Sequence, residues 1–218
     1  MRMTIIATTL AVVSFLGSAA NAALLGLNNT GGAGWTLPTA PGGALTTVTT
    51  TNSAWGTLPG ADWFSTSSNS QLNSSLVGDY TFRTSFDLSG SGAVSATLAF
   101  DMLYDNSIVV MLTTTSGTVT LYNSLAASNF STPATSVAVT SSLINLAGLN
   151  TLDFIVTNAV QPSGVFGVNP VGLNVNFTTQ EFSVFVPVPE PSSIALWGGL
   201  CGLGMVIRRR FKRNAYVS

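Results

Sequence analysis

The feature that most constrains the fold is a strict alternation of apolar and polar residues that begins at Asp79. Tyr80, Phe82 and Phe86 fall at even positions, and Arg83 and other polar residues lie between them. A period of two places the two sets on opposite faces of a β-strand, so this segment predicts a strand with one buried face. After a Ser/Gly turn at 89–92, the same alternation resumes over 94–102.

Further strand signals follow at short intervals. Residues 108–112 are all apolar, which predicts a strand buried on both faces, and Ser116 with Gly117 predicts a hairpin turn. Alternation returns over 152–157, 171–177 and 182–186. Short strands separated by Gly, Ser and Asn turns, with almost no helical periodicity, predict an all-β fold, an antiparallel β-sandwich with its core in residues 79–187.

Residues 23–78 are rich in Gly, Ser, Thr, Asn and Pro and contain Trp35, Trp55 and Trp63. The weak periodicity predicts long loops with two short strands, and the tryptophans indicate that the segment docks onto an apolar surface. Two interpretations of these rings remain open. Either they close one end of the sandwich core, or they are exposed and stack on the sugar rings of a glycan. The same alternatives apply to Tyr104.

The charges exclude one class of function. The chain has seven basic residues, of which only Arg83 lies within 23–187, whereas that body holds all the acids except Glu190. Nucleic-acid binding requires clustered Lys and Arg to displace counterions from phosphates, and the body has no such cluster. We therefore expect no nucleic-acid partner.

The residues available for catalysis are few. The chain has no histidine, its one cysteine is Cys201 in a C-terminal apolar run, and its one lysine is Lys212 in the basic tail. These facts exclude Ser-His-Asp, Cys-His and Ser-Lys chemistry in the body. Asp101 and Asp105 remain as weak candidates, either for a glycosidase acid and base or, with Asn106, for calcium ligands. Because the alternation puts Asp101 on a polar face and Asp105 in a turn, we expect no enzyme and no cofactor.

The N-terminus carries an export signal. Arg2 precedes an apolar stretch at 5–16, and Ala20-Asn21-Ala22 is a small-x-small cleavage box. This order predicts a signal peptide at 1–22, handled by the secretion translocon and removed by signal peptidase between Ala22 and Ala23.

The C-terminus has three successive parts. A Pro-acid-Pro motif at 188–191 is followed by an uncharged apolar run at 194–207 and then by a basic cluster. The motif is Val188, Pro189, Glu190 and Pro191; the cluster is Arg208, Arg209, Arg210, Lys212 and Arg213. We predict one transmembrane helix at 192–207, short for a bilayer of ~30 Å, with the basic residues on the cytoplasmic side and a short tail at 214–218.

These three parts, in this order over 188–213, resemble the PEP-CTERM sorting domain of Gram-negative bacteria that make exopolysaccharide. The resemblance implies recognition of Pro189, Glu190 and Pro191 by an exosortase. It further implies an intermediate tethered transiently in the inner membrane, followed by delivery to the cell surface or extracellular matrix. The body would then serve a structural or adhesive role associated with exopolysaccharide in a biofilm.

The body is similar to exported jelly-roll domains of the galactose-binding-domain-like kind. The similarity is carried by Asp79-Tyr80-Thr81-Phe82, Tyr104-Asp105-Asn106-Ser107 and Leu152-Asp153-Phe154-Ile155. Those domains have a Tyr-Leu-Asn-Gly hairpin, whereas this chain has Leu121-Tyr122-Asn123-Ser124 without the glycine, so no ligand site is transferred. Two alternatives stay open: a lectin-like carbohydrate-binding module that uses Trp35, Trp55 or Trp63, and a cryptic glycosidase that uses Asp101 and Asp105.

Overall fold

The structure is a computed structural model that describes residues 20–71, 75–124, 128–131, 133–159 and 169–184. All of them belong to one compact unit, Ala20–Phe185. The apolar part of the signal peptide, the sorting motif, the transmembrane helix expected at 192–207 and the basic tail lie outside the described residues. Within the described ranges, no helix has the length and hydropathy needed to cross a membrane.

The described residues form eleven strands in two antiparallel sheets, with one short 3-10 helix at Ser141–Leu143. The strands are β1 (Ala20–Leu24), β2 (Thr36–Thr39), β3 (Thr46–Thr47), β4 (Phe64–Ser65), β5 (Gly78–Asp87), β6 (Ala93–Asp105), β7 (Ser107–Thr114), β8 (Gly117–Ser124), β9 (Thr135–Val139), β10 (Leu149–Asn158) and β11 (Gly172–Val184). The six-stranded sheet has the order β3-β4-β11-β6-β9, with β1 also paired to β11. The five-stranded sheet has the order β2-β5-β10-β7-β8.

The two sheets pack face to face around a shared apolar core. Phe100 of β6 and Phe154 of β10 come from different sheets, and their ring centroids are 5.3 Å apart in an edge-on arrangement. Within the six-stranded sheet, Phe177 of β11 stands opposite Phe100, and the two ring centroids are 5.8 Å apart, also edge-on. Phe100 and Phe154 are fully buried, and a side chain of this kind stabilises the fold by about 1.5–3 kcal/mol through burial. The all-β, two-sheet prediction is therefore confirmed.

The alternation that begins at Asp79 produces the expected two-faced strand. On β5, Tyr80, Phe82 and Phe86 are buried between the sheets, while Arg83 and Ser85 are exposed on the outer face. β10 pairs with β5 along its whole length and presents Leu152, Phe154 and Val156 to the same core. The period-two pattern thus determines which face of each long strand is buried.

Turn chemistry matches the predicted strand boundaries. After β5, Asp87 Oδ1 accepts a hydrogen bond of 2.8 Å from the Ser89 amide, and Gly90 and Gly92 have φ of 70° and 69°. Such positive φ values are open to glycine at little energetic cost. The predicted hairpin at Ser116 and Gly117 joins β7 to β8. The loop is thus short enough to keep both strands in one sheet.

Two expectations need correction. Residues 108–112 are not buried on both faces: Ile108, Val110 and Leu112 enter the core, whereas Val109 and Met111 are half-buried on the outer face. An apolar run therefore does not imply two covered faces, because an outer sheet face tolerates half-buried apolar groups. Three short strands, β2, β3 and β4, lie wholly within 23–78, rather than two, and β1 also extends into this segment as far as Leu24.

Candidate functional site

Trp35 lies between the two sheets. Its ring contacts Phe64, Phe154 and Phe177 at centroid distances of 5.8, 5.5 and 6.3 Å. The indole Nε1 donates a hydrogen bond of 2.9 Å to the Asn28 carbonyl oxygen, so the polar atom of a buried ring is satisfied. Trp35 is therefore a central member of the sandwich core and offers no exposed face to a sugar.

Trp55 and Trp63 occupy a different place. On β6, Phe100, Met102 and Tyr104 point into the core, so Leu103 points to the outer face of the six-stranded sheet. Trp55 and Trp63 cover that face, stacked on each other at a centroid distance of 4.2 Å and an interplanar angle of 26°. We call this group the outer cluster; its buried members are Val48, Trp55, Leu58, Trp63 and Leu103.

The outer cluster depends on a close approach between a ring and the backbone. A Cβ atom placed on Gly172, in β11, would lie 2.4 Å from the Trp55 ring. Trp63 Nε1 donates to the Gly56 carbonyl oxygen at 2.7 Å, which closes the loop between the two tryptophans. Trp55 and Trp63 have only 6% and 2% of their surface exposed. They therefore pack against a sheet face and present no accessible ring face on which a ligand could stack.

Asp105 is the least exposed acid among the residues that the structure describes. The residue is buried, Oδ2 accepts a hydrogen bond of 2.9 Å from Trp55 Nε1, and Oδ1 accepts one of 2.7 Å from Asn106 Nδ2. Burial raises the pKa of the Asp105 carboxyl, and the Trp55 hydrogen bond opposes part of that rise. The prediction of a turn at Asp105 was wrong: Asp105 is the last residue of β6, and its carboxylate connects that strand to the outer cluster.

Asp101 and Asp105 are not brought together. They lie on the same strand with Leu103 between them, and four residues of β-strand span about 13 Å. Asp101 is partly exposed and accepts a hydrogen bond from the Ser136 hydroxyl of β9. A calcium ion bound at 2.3–2.6 Å from its ligands cannot join two carboxylates so far apart, and the spacing also exceeds the glycosidase range. Among the described residues, no three acidic or thiol side chains form a metal-binding group.

Tyr104 is also buried, on the core side of β6. Its hydroxyl lies 3.1 Å from that of Tyr122 on β8, and burial raises the pKa of the Tyr104 phenol. The pair joins the two sheets at the edge where β8 and β9 approach each other. Like the tryptophans, Tyr104 offers no exposed ring face.

The structure pairs two charged residues that sequence reasoning did not connect. Arg83 of β5 and Asp153 of β10 stand directly opposite each other on the outer face of the five-stranded sheet. Arg83 Nε and Nη2 donate to the two Asp153 carboxylate oxygens at 2.6 and 2.8 Å. The pairing raises the pKa of the Arg83 guanidinium. The alternation in the sequence does place both residues at polar positions of their strands. It does not show that they are paired, because the register between β5 and β10 joins residues that are far apart in the sequence.

The structure describes the signal box but not the sorting residues. Val188, Pro189, Glu190 and Pro191, and the basic cluster after them, lie outside the described residues. Ala20 and Ala22 lie in β1, which pairs with the last residues of β11. The predicted cleavage between Ala22 and Ala23 therefore falls inside a strand rather than before it.

Comparison of the chain with protein-family models, with curated proteins and with solved structures found no match.

Proposed function

We propose that this chain is an exported protein of a Gram-negative cell surface or matrix, with a structural or adhesive role in exopolysaccharide. Residues 1–22 are removed during export, and an exosortase recognises Pro189, Glu190 and Pro191 while the segment 192–207 holds the chain in the inner membrane. The observation that carries the proposal is the tail itself. A Pro-Glu-Pro motif, an uncharged apolar run and a basic cluster follow one another directly after a β-sandwich whose last described strand ends at Val184.

The outer face of the five-stranded sheet supports the adhesive part of the proposal. Ser85, Thr151, Thr113 and Thr118 stand side by side on four adjacent strands. Neighbouring strands are about 4.8 Å apart, so the row presents hydroxyl groups at a regular spacing. Hydroxyl groups can both donate and accept hydrogen bonds, as the hydroxyls of a polysaccharide also do. A weakly charged, hydroxyl-rich face suits many weak contacts with a hydrated polymer.

For the sandwich, we propose the jelly-roll topology of galactose-binding-like domains. A lectin-like role is the alternative, but it would have to use the hydroxyl face, since Trp35, Trp55 and Trp63 are buried. The separation of Asp101 from Asp105 speaks against a glycosidase built on that pair.

The sorting proposal is tested by mass and cell fractionation in a Gram-negative host that has an exosortase. We expect the wild-type chain outside the inner membrane without its basic cluster, and Glu190→Ala retained in the membrane at its uncleaved C-terminal mass. Glu181→Ala is the matched control, because it removes the other glutamate of the chain from an exposed position on β11 and should be sorted normally. A wild-type protein that keeps Arg208–Arg210 in the inner membrane would contradict the proposal.

The adhesive role is tested by co-sedimentation with exopolysaccharide purified from the same host. Thr151→Asp introduces a charge in the centre of the hydroxyl row and should weaken binding, since an anion cannot donate the hydrogen bonds that the hydroxyl provides. Thr140→Asp places the same charge at an exposed position beyond β9 and should leave binding unchanged. Equal binding by both variants would remove this face from the proposal.

A further inference from the structure

One edge of the five-stranded sheet is long and lightly protected. β8 is the last strand of that sheet, and among the described strands only β7 pairs with it. An edge strand presents unpaired backbone N–H and C=O groups, which proteins usually guard with charges, proline or a very short strand. β8 has 8 residues, none of them charged and none of them proline. The other described edge strands are shorter: β1 and β9 have 5 residues each, β3 has 2, and β2 has 4 with Pro38 among them.

The half of β8 next to the hairpin is the open part of this edge. Gly117–Thr120 are all exposed, whereas Leu121 and Tyr122 are half-buried. Leu121 is an extra residue, because the register with β7 shifts between Val110 and Met111, and such a bulge bends the strand at that point. The regular segment that can accept a further strand is therefore Gly117–Thr120, which we call the open edge.

Val119 is the apolar centre of the open edge. It stands opposite Leu112 of β7, which is fully buried, yet Val119 itself has 36% of its surface exposed. A neighbouring strand would remove that apolar surface from water, which is favourable. Thr118 and Thr120 flank Val119 and point to the other face of the sheet. The open edge thus combines free backbone groups with one exposed apolar side chain and two hydroxyl groups.

A second copy of the same strand fits this edge. Two antiparallel strands related by a two-fold axis place each residue opposite a partner that lies on the same sheet face. An axis at Val119 therefore sets Val119 opposite its own copy and Thr118 opposite Thr120. Pairs of β-branched residues and pairs of threonines are favourable across strands, and the open edge brings no like charges together. The open edge is thus complementary to itself.

We propose that the chain self-associates through the open edge, with β8 of two copies running antiparallel about Val119 and joining two five-stranded sheets into one. The interface requires neither signal cleavage nor the sorting motif, so its failure would leave the sorting proposal untouched. A contact confined to one strand is small, which predicts a weak dimer that is populated where chains are concentrated. Each dimer presents two hydroxyl-rich sheet faces, so binding to one polymer gains from multivalency.

Disulfide trapping tests this arrangement in the full chain. Cys201→Ser is the background, so that the introduced cysteine is the only one. In Val119→Cys the two cysteines lie directly opposite each other, with Cα atoms about 4.5–5.5 Å apart, within the range of a disulfide. Thr120→Cys is the matched control, because Thr120 is also exposed on the open edge. Its two copies, however, lie about 8 Å apart in the proposed dimer, beyond disulfide range.

We expect mild oxidation to give at least about tenfold more disulfide dimer from Val119→Cys than from Thr118→Cys or Thr120→Cys alone. A mixture of Thr118→Cys and Thr120→Cys chains should also cross-link, because the proposed register sets these two positions opposite each other. Mass and non-reducing electrophoresis measure the yields. Yields that do not favour Val119→Cys, including no dimer at all, would overturn the proposal.

A second experiment needs no cysteine. Val119→Lys places like charges opposite each other and should raise the dissociation constant of the dimer by about fivefold or more, measured by sedimentation equilibrium of the purified chain. An equimolar mixture of Val119→Lys and Val119→Glu should recover the association, because the opposed charges then attract. Leu149→Lys is the matched control, since it replaces another exposed apolar residue away from β8 with the same charge and should associate like wild type. If the mixture associates no better than either variant alone, the two edges do not face each other and the proposal fails.

Discussion

The inter-sheet core and the outer cluster use the same residue type in two ways. Trp35 is surrounded by phenylalanines from both sheets, and its N–H is satisfied by a backbone carbonyl group. Trp55 and Trp63 cover the outside of one sheet, and Trp55 bonds a buried carboxylate instead. The core is formed by strands whose alternation requires it. The outer cluster is formed by a loop that covers the outer face of the six-stranded sheet, which would otherwise be exposed to solvent.

The difference shows what the polar N-terminal part of the body contributes. Residues 48–63 have few of the patterns that predict strands, yet they bury Leu103 and Asp105 on β6 and pack on Gly172 of β11. At this end both faces of the six-stranded sheet are covered, which explains why Asn174 is buried on what alternation marks as a polar position. A Gly/Ser/Thr-rich composition is thus compatible with a fixed structural role.

The largest expected effect comes from the inter-sheet core. Phe154→Ala should reduce the free energy of unfolding by about 3–5 kcal/mol, because it removes a fully buried ring that contacts Trp35 and Phe100. Urea unfolding measures the change. Phe154→Leu, which keeps most of the buried volume, should lose clearly less. Equal losses for the two variants would mean that the rings do not pack as the core requires.

A smaller and more local effect is expected in the outer cluster. Trp63→Ala should cost about 3 kcal/mol, at the low end for a buried aromatic ring, because the cluster lies at the periphery of the sandwich. Hydrogen exchange should become faster over residues 48–65, while β5 and β10 keep their protection. Trp35→Ala is the control and should speed exchange in both sheets. If Trp63→Ala reduced hydrogen-exchange protection equally throughout the sandwich, the outer cluster and the inter-sheet core would unfold as one cooperative unit, contrary to this prediction.

The ion pair on the opposite sheet gives a smaller effect. Arg83→Met should cost about 1–2 kcal/mol: the arginine side chain is 44% exposed, but its loss leaves the Asp153 carboxylate, whose side chain is 12% exposed, without a cation. The double variant with Asp153→Asn should recover part of this loss. Unfolding of the four proteins at low and high salt measures the coupling. A double variant as unstable as the sum of the singles would show no interaction.

The smallest effect concerns pH. The raised pKa of Asp105 means that the folded state binds this proton more tightly than the unfolded state, so its contribution to stability grows as pH falls and is lost as pH rises through the folded pKa. The stability of wild type relative to Asp105→Asn should therefore increase from pH 7 toward pH 4. Asp87 has a lowered pKa, caused by hydrogen bonds from Ser89, so the stability of wild type relative to Asp87→Asn should instead decrease as pH falls below the ordinary value of 3.8. Parallel pH profiles would contradict the burial of Asp105.

Much of the sandwich follows from local pattern. Alternation identified the buried faces of β5, β6 and β10, and glycine with serine marked the turns around them. The outer cluster did not follow, because it depends on the path of a loop and on one glycine in a distant strand. The opposition of Arg83 and Asp153 was also hidden, since strand register is fixed only when the whole sheet assembles. The sorting motif stays a prediction from sequence.

The contact between Trp55 and Gly172 should also constrain which substitutions these two positions can accept during evolution. Any residue other than glycine at 172 would require a smaller side chain at 55, because the Trp55 ring already occupies the space that a Cβ atom at 172 would need. With the ring would go the hydrogen bond to Asp105. Relatives of this chain that carry a side chain at 172 should therefore lack tryptophan at 55, whereas relatives that keep Trp55 should also keep Gly172.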